Sequence, residues 1–304
     1  MSTLFRRSLL AVTERGAVQT MFTKFPAGRA VARRFVAGET LDDAVQAARR
    51  LNSSGATVSL DHLGEHVDDT ASAKKAKEDY LEILDRIPAE GLDANISIKL
   101  TQLGMSFDLE QTKAALHELA AKAAEAGTTV TVDMEESEWT GITIDLYEEV
   151  QRQRGNLGIA VQAYLLRTGD DLRRLIELGG HIRLCKGAYA EPPEVAYQSK
   201  GEVDASFERL LSTLMSADQV RPAIATHDDR LIERTYELAA RRRAPFEFQM
   251  LYGIRGAIQR EILTKGYPLR VYIPYGSQWY PYLTRRLAER PANLLFFARA
   301  LIGR

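Results

Sequence analysis

Two cations and a glycine lie close together in the string RLCKGAY, and their chemistry suits a negatively charged ligand. Arg183 and Lys186 are three residues apart, and Gly187 follows directly. Lysine and arginine can offset phosphate charge, while a glycine lets backbone N–H groups approach phosphate oxygens closely. The string therefore predicts a polyanion site, although solvated charges beside a turn glycine would give the same sequence.

Two adjacent arginines later in the chain suit a carboxylate or a phosphate. Arg285 and Arg286 lie in the string YLTRRLAERP, four and three residues before Glu289. Planar guanidinium groups can bind such anions through two parallel hydrogen bonds. The same spacing on a helix also allows an ion pair with Glu289, so the sequence leaves both interpretations open.

The histidines and the single cysteine do not predict a metal site. Adjacent residues on a strand point to opposite faces, so Asp61 and His62 do not converge on one metal ion, and neither do Glu65 and His66. The chain has no GxSxG elbow and no phosphate-binding loop of the Walker type, which argues against common hydrolases and kinases. Cys185 is the only cysteine, so the chain cannot form an internal disulfide, which fits a reducing cytosol.

The elements that position these side chains follow from the hydrophobic pattern. Short β-rich runs alternate with helix-favouring segments about eight times. The runs cover residues 56–63, 94–100, 128–134, 158–165, 181–187, 221–228, 246–251 and 268–276. Eight such units favour a closed (β/α)8 barrel over an open doubly wound sheet, since no strand precedes a GxGxxG motif.

The predicted strands end in polar residues. At these ends lie Asp61, Glu65, Lys99, Asp133, Glu135, Glu136, Gln162, Arg183, Lys186, Thr226, His227, Gln249 and Tyr272. All strands of such a barrel end at one face, where the functional groups of barrel enzymes lie. We therefore expect a ligand-filled mouth at the carboxyl face.

A helical arm is predicted before the barrel. Apolar residues recur at helical spacing from Leu41 to Leu51, and Thr40 with Asp43 resembles a capping box. We therefore divide the chain into a helical arm, residues 1–54, and a barrel, residues 55–304.

Composition limits the partners. The chain has 304 residues, with 40 basic and 41 acidic side chains and a net charge of -1, so no overall field favours nucleic acid. No run of about 18 apolar residues occurs, which argues against a membrane-spanning helix and leaves peripheral membrane contact open.

Eight strings resemble the proline dehydrogenase family in their order and spacing. They are LDHLGE (60–65), SIKL (97–100), VQAYL (161–165), RLCKGAY (183–189), ATHD (225–228), FQML (248–251), VYIPYG (271–276) and YLTRRLAERP (282–291). The resemblance covers about residues 40–304. It favours the short monofunctional bacterial enzymes over the large bifunctional flavoproteins of proline utilisation.

The resemblance implies a distorted, TIM-like (β/α)8 barrel with noncovalent FAD at its carboxyl mouth and the final helix over the active site. It places L-proline against Lys99, Asp133, Leu251, Tyr272, Arg285 and Arg286. It assigns catalytic roles to Lys99, Asp133 and Arg183, and it places Arg183 beside N5 of the flavin. It places FAD against Met134, Gln162, Arg183, Lys186, Gly187, Ala188, Thr226, His227 and Glu289. It also implies a gate formed by Glu65 and Arg285.

The implied reaction is the oxidation of L-proline to Δ1-pyrroline-5-carboxylate, the first step of proline catabolism to glutamate. Electrons would pass from reduced FAD to a membrane quinone, so the expected location is the cytoplasm, with peripheral contact at the inner face of the cell membrane. A pyrroline-5-carboxylate dehydrogenase would be a candidate downstream partner. Two alternatives stay open: a barrel aldolase that forms a Schiff base on Lys99, and a non-catalytic ligand-binding barrel.

Overall fold

The computed structural model describes residues 32–64 and 67–289, with side chains up to Thr284. The strands are β1 Thr57–His62, β2 Ala94–Ile98, β3 Val130–Val132, β4 Leu157–Gln162, β5 Gly180–Cys185, β6 Val220–Ala225, β7 Glu247–Leu251 and β8 Leu269–Tyr275. The helices in these ranges are α1 Leu41–Ser53, α2 Thr70–Ala89, α3 Leu109–Glu125, α4 Thr140–Arg154, α5 Thr168–Leu178, α6 Lys200–Ser216, α7 Asp229–Ala239, α8 Gly256–Thr264 and α9 Trp279–Glu289. Of the helices in the described ranges, none is long and apolar enough to cross a membrane.

The eight strands are parallel and form a closed barrel in which β8 pairs with β1, so the predicted fold is confirmed. Each predicted run overlaps one strand, and β4, β5 and β6 begin one residue before their predicted runs. The third run differs most, because only Val130–Val132 of residues 128–134 forms a strand. Asp133 N still donates to Ile98 O (2.9 Å), and the chain then leaves the sheet. The polar side chain of Asp133 therefore lies at the rim of the barrel, just beyond the strand.

Apolar and polar side chains alternate along most of the strands, for example β1, β2 and β7, and the polar ones lie inside the barrel. Val58, Leu60, Ile96 and Ile98 are fully buried in the core that the strands share with the helices. The residues between them bond to one another across the interior, for example Ser59 Oγ with Asn95 Oδ1 (2.5 Å), Asn95 Nδ2 with Thr131 Oγ1 (3.1 Å) and Arg270 Nε with Glu247 Oε1 (2.8 Å). Successive side chains of a strand point to opposite faces, so the apolar side chains face the helices and the polar side chains face the barrel interior.

Helix α1 completes the barrel wall between β8 and β1. Its first turn contains the predicted capping box: Asp43 N donates to Thr40 Oγ1 (3.2 Å), and Thr40 N donates to Asp43 Oδ2 (3.1 Å). Its apolar face, formed by Ala44, Val45, Ala47 and Ala48, is buried. A helix that precedes the barrel therefore lies where the helix after β8 would otherwise pack, which accounts for the distortion of the fold.

Helix α9 lies at the carboxyl face instead. Its residues Trp279, Tyr280, Tyr282 and Leu283 form a separate hydrophobic cluster with Ala32, Phe35, Val36, Leu63 and Ile254. Leu63 follows the end of β1 and Ile254 follows the end of β7, so this cluster lies at the mouth. Helix α9, the last helix of the described ranges, therefore packs at the barrel opening.

The described part of the predicted arm packs directly on the barrel. Gly253, after β7, has a φ of 71°, and a Cβ atom there would lie 1.6 Å from the carbonyl oxygen of Arg34. Only a glycine allows this approach of the two backbones. Residues 1–31 lie outside the described residues, so the division at residue 54 stays a prediction.

The guanidinium of Arg242 caps the carboxyl end of α6. Its Nη1 donates to the carbonyl oxygens of Leu214 (3.2 Å), Met215 (2.9 Å) and Ala217 (3.1 Å), and Nη2 donates to Val220 O (2.6 Å). The last carbonyls of a helix have no partners within the helix, and the helix dipole favours a cation there. Arg242 thus joins the end of α6 to the start of β6.

Arg242→Ala should lower the free energy of unfolding by about 2 to 4 kcal/mol, because several carbonyl groups lose their donor at once. Thermal unfolding should show a Tm lower by several degrees. Arg241→Ala is the matched control, since the neighbouring Arg241 is exposed. Equal losses of Tm in the two variants would contradict the capping role.

Candidate active site

The carboxyl ends of the strands bring four predicted residues together. Lys99 follows β2, Asp133 follows β3, Arg183 lies on β5 and Tyr272 lies on β8. These positions are distant in sequence, but all strands of a parallel barrel end at the same face. Hydrogen bonds join the other three side chains to Asp133.

Asp133 is the centre of this cluster. Its Oδ2 accepts hydrogen bonds from Lys99 Nζ (3.2 Å) and Tyr272 OH (2.8 Å). Its Oδ1 accepts from Ser97 Oγ (2.7 Å) and from Arg183 Nη1. Burial by itself raises the pKa of this carboxyl, but the two cations and the two hydroxyl donors outweigh it and lower the pKa to about 2. Asp133 is therefore a carboxylate at neutral pH.

Tyr272 is the neutral donor of the cluster. Burial, and then the nearby Asp133 and Asp61 carboxylates, raise the pKa of Tyr272 well above its usual value. Its hydroxyl therefore stays protonated and donates to Asp133.

Lys99 lies between two carboxylates. Its Nζ is 3.3 Å from Asp61 Oδ1 and 3.2 Å from Asp133 Oδ2. Asp61 is fully buried at the end of the neighbouring strand β1. The amine of Lys99 is thus held by two carboxylates, whereas a Schiff base needs an amine that is free to attack a carbonyl group. This geometry argues against the aldolase alternative.

The Arg183 side chain crosses the barrel interior. Its Nε donates to Gln249 Oε1 (2.6 Å), and its Nη1 donates to Ser97 Oγ (3.0 Å) and to Asp133. The guanidinium carbon lies 5.3 Å from the centre of the Tyr272 ring. Arg183 therefore contacts side chains from four other strands or strand ends.

Small neighbours leave room for this path. Ala160 on β4 and Ala223 on β6 are the register partners of Arg183 in the sheet. Partners in register share a face of the sheet, so two methyl groups flank the arginine on the inside of the barrel.

Two buried polar atoms of the site have no partner among the described residues. One is a donor, Arg183 Nη2, and the other is an acceptor, Gln162 Oε1. The amide nitrogen of Gln162 is used, because it donates to Met134 O (3.1 Å). Buried polar groups are nearly always hydrogen-bonded in folded proteins. We infer that the site is built for a ligand that offers both an acceptor and a donor.

Lys186 forms two ion pairs that no spacing in the sequence indicates. Its Nζ lies 2.5 Å from Asp204 Oδ1 and 2.9 Å from Asp228 Oδ2. Lys200 pairs with the same two carboxylates from the solvent side, with its side chain 73% exposed. The cluster has two cations and two anions, so the two carboxylates balance the charges of Lys186 and Lys200.

The other predicted ligand contacts also lie after strand ends. Met134 follows β3, Gly187 and Ala188 follow β5, and Thr226 and His227 follow β6. Gly187 has a φ of 111°, and a Cβ atom there would lie 2.2 Å from the Tyr164 ring, so the position requires glycine. His227 Nε2 accepts a hydrogen bond from Leu251 N (3.0 Å), which connects two predicted ligand residues. Their roles toward a ligand stay predictions.

Four predicted site residues cannot be placed in the cluster. Glu65 lies outside the described residues. Arg285, Arg286 and Glu289 lie on α9, which is over the mouth, but their side chains are outside the described part of the chain. The gate of Glu65 and Arg285 therefore stays a prediction.

Several residues of the site were missed or given no role. Asp61 and Gln249 were recognised only as polar strand ends, and Ser97 was not singled out. Their signal is the alternation of polar residues along β1, β2 and β7, which marks the interior face. Glu135 also has a structural role: Thr101 N donates to its Oε1 (3.1 Å), which ties the segment after β2 to the segment after β3.

Comparisons with known proteins support the resemblance. Residues 44–299 match the family model described as proline dehydrogenase. The chain is 38% identical to proline dehydrogenase 1 of Bacillus subtilis (strain 168) over 287 residues, 93% of this chain and 94% of that protein. It is 34% identical to the proline dehydrogenase of Deinococcus radiodurans over 307 residues, 98% of both proteins.

Solved structures share the fold. Proline utilization A (PutA) from Bdellovibrio bacteriovorus, inactivated by N-propargylglycine, matches with a TM-score of 0.81 and 26% identity. That match covers 86% of this chain and 33% of the other, so this chain spans about a third of its length. A PutA structure from Bradyrhizobium japonicum matches with a TM-score of 0.76 and 24% identity, over 90% of this chain and 32% of that one.

Proposed function

The chain belongs to the proline dehydrogenase family, and we propose that its barrel mouth oxidises L-proline to Δ1-pyrroline-5-carboxylate. The observation that carries the proposal is the buried cluster in which Lys99, Arg183 and Tyr272 converge on one carboxylate. A preorganised set of charges and donors suits a small zwitterionic substrate. Anaerobic addition of L-proline should bleach the flavin absorbance of the purified protein.

FAD, held without a covalent bond, is the proposed cofactor. A flavin ring carries hydrogen-bond acceptors and an N–H donor, which complement Arg183 Nη2 and Gln162 Oε1, the two buried atoms that lack partners in the described ranges. The remaining proposed contacts are Met134, Lys186, Gly187, Ala188, Thr226, His227 and Glu289. When bound, FAD supplies the acceptor for the hydride that L-proline loses.

Lys186→Met should weaken FAD binding about tenfold or more, because a charge-assisted contact to the phosphates is lost. Fluorescence titration of the apoprotein with FAD measures the effect. Lys200→Met is the matched control, since Lys200 pairs with the same carboxylates, Asp204 and Asp228, but is more exposed. If both variants bind FAD with equal affinity, Lys186 has no contact with the cofactor.

The substrate is proposed to lie between this cluster and the final helix. Arg285 and Arg286, on α9 over the mouth, bind the carboxylate of L-proline. Leu251, at the end of β7, contacts the ring. Glu65 pairs with Arg285 and closes the site as a gate. These contacts exclude water and orient the ring carbon next to nitrogen for hydride loss.

Hydride loss from that carbon requires that the amine first lose its proton. Asp133 is a weak base, because its pKa is about 2, and Tyr272 stays protonated. Neither group therefore accepts the amine proton at neutral pH. We propose that Lys99 and Asp133 orient the substrate and offset charge, and that L-proline reacts in its neutral-amine form.

The pH dependence of kcat/KM tests this division of roles. The pKa of Asp133 is lowered to about 2, so the carboxylate persists above that pH and its protonation does not limit activity at neutral pH. The rate should instead rise with pH until the amine of free L-proline is neutral. Asp133→Asn should lower kcat/KM at each pH without moving the midpoint of this rise. A midpoint that moves in the variant would make Asp133 the base.

A quinone is the proposed electron acceptor, reached by peripheral contact at the inner face of the cell membrane from the cytoplasm. The support for the quinone and for the membrane contact is membership of the proline dehydrogenase family. The proposal requires that a ubiquinone or menaquinone analogue reoxidise the proline-reduced flavin, and failure of every analogue would overturn it. The product is proposed to pass to a separate pyrroline-5-carboxylate dehydrogenase.

A further inference from the structure

A chain of hydrogen bonds runs from Arg183 to a second buried charge cluster in the barrel. Arg183 Nε donates to Gln249 Oε1 (2.6 Å), and Gln249 Nε2 donates to Glu247 Oε1 (2.7 Å). Gln249 and Glu247 are two residues apart on β7, so both face the interior, where they are 4% and 1% exposed. Neither residue belongs to the proposed substrate or cofactor contacts.

Glu247 is held as an anion by the groups around it. Arg270 Nε donates to its Oε1 (2.8 Å), Arg221 Nη2 donates to its Oε2 (3.0 Å), and His181 Nε2 lies 3.4 Å from Oε1. Burial raises the pKa of Glu247, but His181 and Arg270 outweigh it and hold the pKa well below its usual range. Glu247 can therefore only accept hydrogen bonds.

The amide of Gln249 consequently has one favourable orientation. Arginine only donates hydrogen bonds, and an ionised carboxylate only accepts them. The amide oxygen must face Arg183 and the amide nitrogen must face Glu247. The reverse orientation would set donor against donor and acceptor against acceptor, so Glu247 determines which atom Gln249 offers to Arg183.

These contacts leave one edge of Arg183 for a ligand. Nε is bonded to Gln249, Nη1 is bonded to Ser97 and Asp133, and Nη2 is buried with no partner in residues 32–64 and 67–289. We propose that Gln249, oriented by Glu247, is a positioning residue that turns the Nη2 edge of Arg183 toward the bound flavin. This inference rests on the proposed function, because it is the flavin that would accept the hydrogen bond.

Gln249→Met tests the proposal, because methionine has a similar length and makes neither hydrogen bond. The rate constant for anaerobic flavin reduction by L-proline should fall about tenfold, since Arg183 is less well oriented. The proline concentration at half-maximal rate should change less than about twofold, because other residues bind the carboxylate. The midpoint potential of the bound flavin, measured with a redox dye, should become more negative.

Glu247→Gln provides a second variant if Gln249→Met does not fold. A glutamine at position 247 can donate as well as accept, so it no longer enforces the orientation of the Gln249 amide. The potential should shift in the same direction as in Gln249→Met, by a smaller amount.

Gln151→Met is the matched control. Gln151 is also buried, 6% exposed, but its Oε1 accepts from Leu157 N (2.8 Å) at the start of β4, the end of the strand away from the mouth. This variant should lower Tm and leave the flavin potential unchanged. If Gln249→Met likewise has a lower Tm but keeps the wild-type flavin potential and the wild-type rate constant of flavin reduction, Gln249 is merely structural and the proposal is overturned.

The potential also separates this proposal from the proposed function. A wild-type protein that binds FAD but is not bleached by L-proline would refute proline oxidation. The dye-measured potential of wild type and Gln249→Met needs no proline, so it would still show whether Gln249 positions Arg183 at the flavin.

Discussion

Replacing Arg183 by methionine should lower the rate constant of flavin reduction by L-proline about 100- to 1000-fold, the usual loss when a preorganised donor is removed from an active site. Arg183 is proposed to be the cation beside the bound flavin, and its buried Nη2 has no partner in the described residues. The variant also removes a hydrogen bond to Asp133, although Lys99 still pairs with that carboxylate. The barrel should therefore fold.

Stopped-flow reduction under anaerobic conditions measures the loss, and a melting curve establishes that the variant is folded. Arg183→Lys is the matched variant, since it keeps the charge but not the planar fork that contacts Gln249, Ser97 and Asp133 together. It should show an intermediate loss. A folded, FAD-loaded Arg183→Met protein that is reduced within about threefold of the wild-type rate would contradict the assigned role.

Arg285→Met should lower kcat/KM for L-proline about 10- to 150-fold, which corresponds to the loss of one charge-assisted hydrogen bond of about 1.5 to 3 kcal/mol. The position lies on α9, the helix packed over the barrel mouth. Pyrrolidine, which has no carboxylate, should react at nearly the same rate with wild type and variant. Arg286→Met should behave in the same way.

Steady-state kinetics with both amines separates recognition of the carboxylate from a structural role. Arg260→Met is a suitable control, because Arg260 is an exposed arginine on the preceding helix α8. It should leave both amines unaffected. Equal losses for proline and pyrrolidine in Arg285→Met would show that this arginine stabilises the helix and does not bind the substrate carboxylate.

The barrel was predictable because its signals are local. Each β-rich run has the length of one strand, and the capping box of Thr40 and Asp43 marks the start of α1. The position of α1 in the wall between β8 and β1 was not predictable, since it depends on packing between segments more than 200 residues apart, such as Val58 and Val271. The short length of β3 was not predictable either. A strand ends where its pairing with the neighbouring strands ends, and the amino-acid composition of the run does not indicate that point.

The site was predictable as a set of strand ends but not as a network. The sequence indicates that Lys99, Asp133, Arg183 and Tyr272 share one face, and the structure shows that they meet at Asp133. No spacing rule indicates that Asp61 is the second partner of Lys99. Likewise, the carboxylates that bind Lys186 come from residues 204 and 228, on different segments. Such contacts depend on the geometry of barrel closure, which only the folded chain defines.

Anaerobic titration with L-proline tests whether this barrel oxidises L-proline on a bound flavin. The purified protein should carry a flavin that denaturation releases intact, as expected for noncovalent FAD. L-Proline in the absence of oxygen should bleach the flavin bands completely, with Δ1-pyrroline-5-carboxylate formed in an amount equal to the flavin reduced. A flavin that stays oxidised in excess L-proline, although dithionite reduces it, would rule out proline oxidation and would leave the protein as a flavin-binding barrel without this activity.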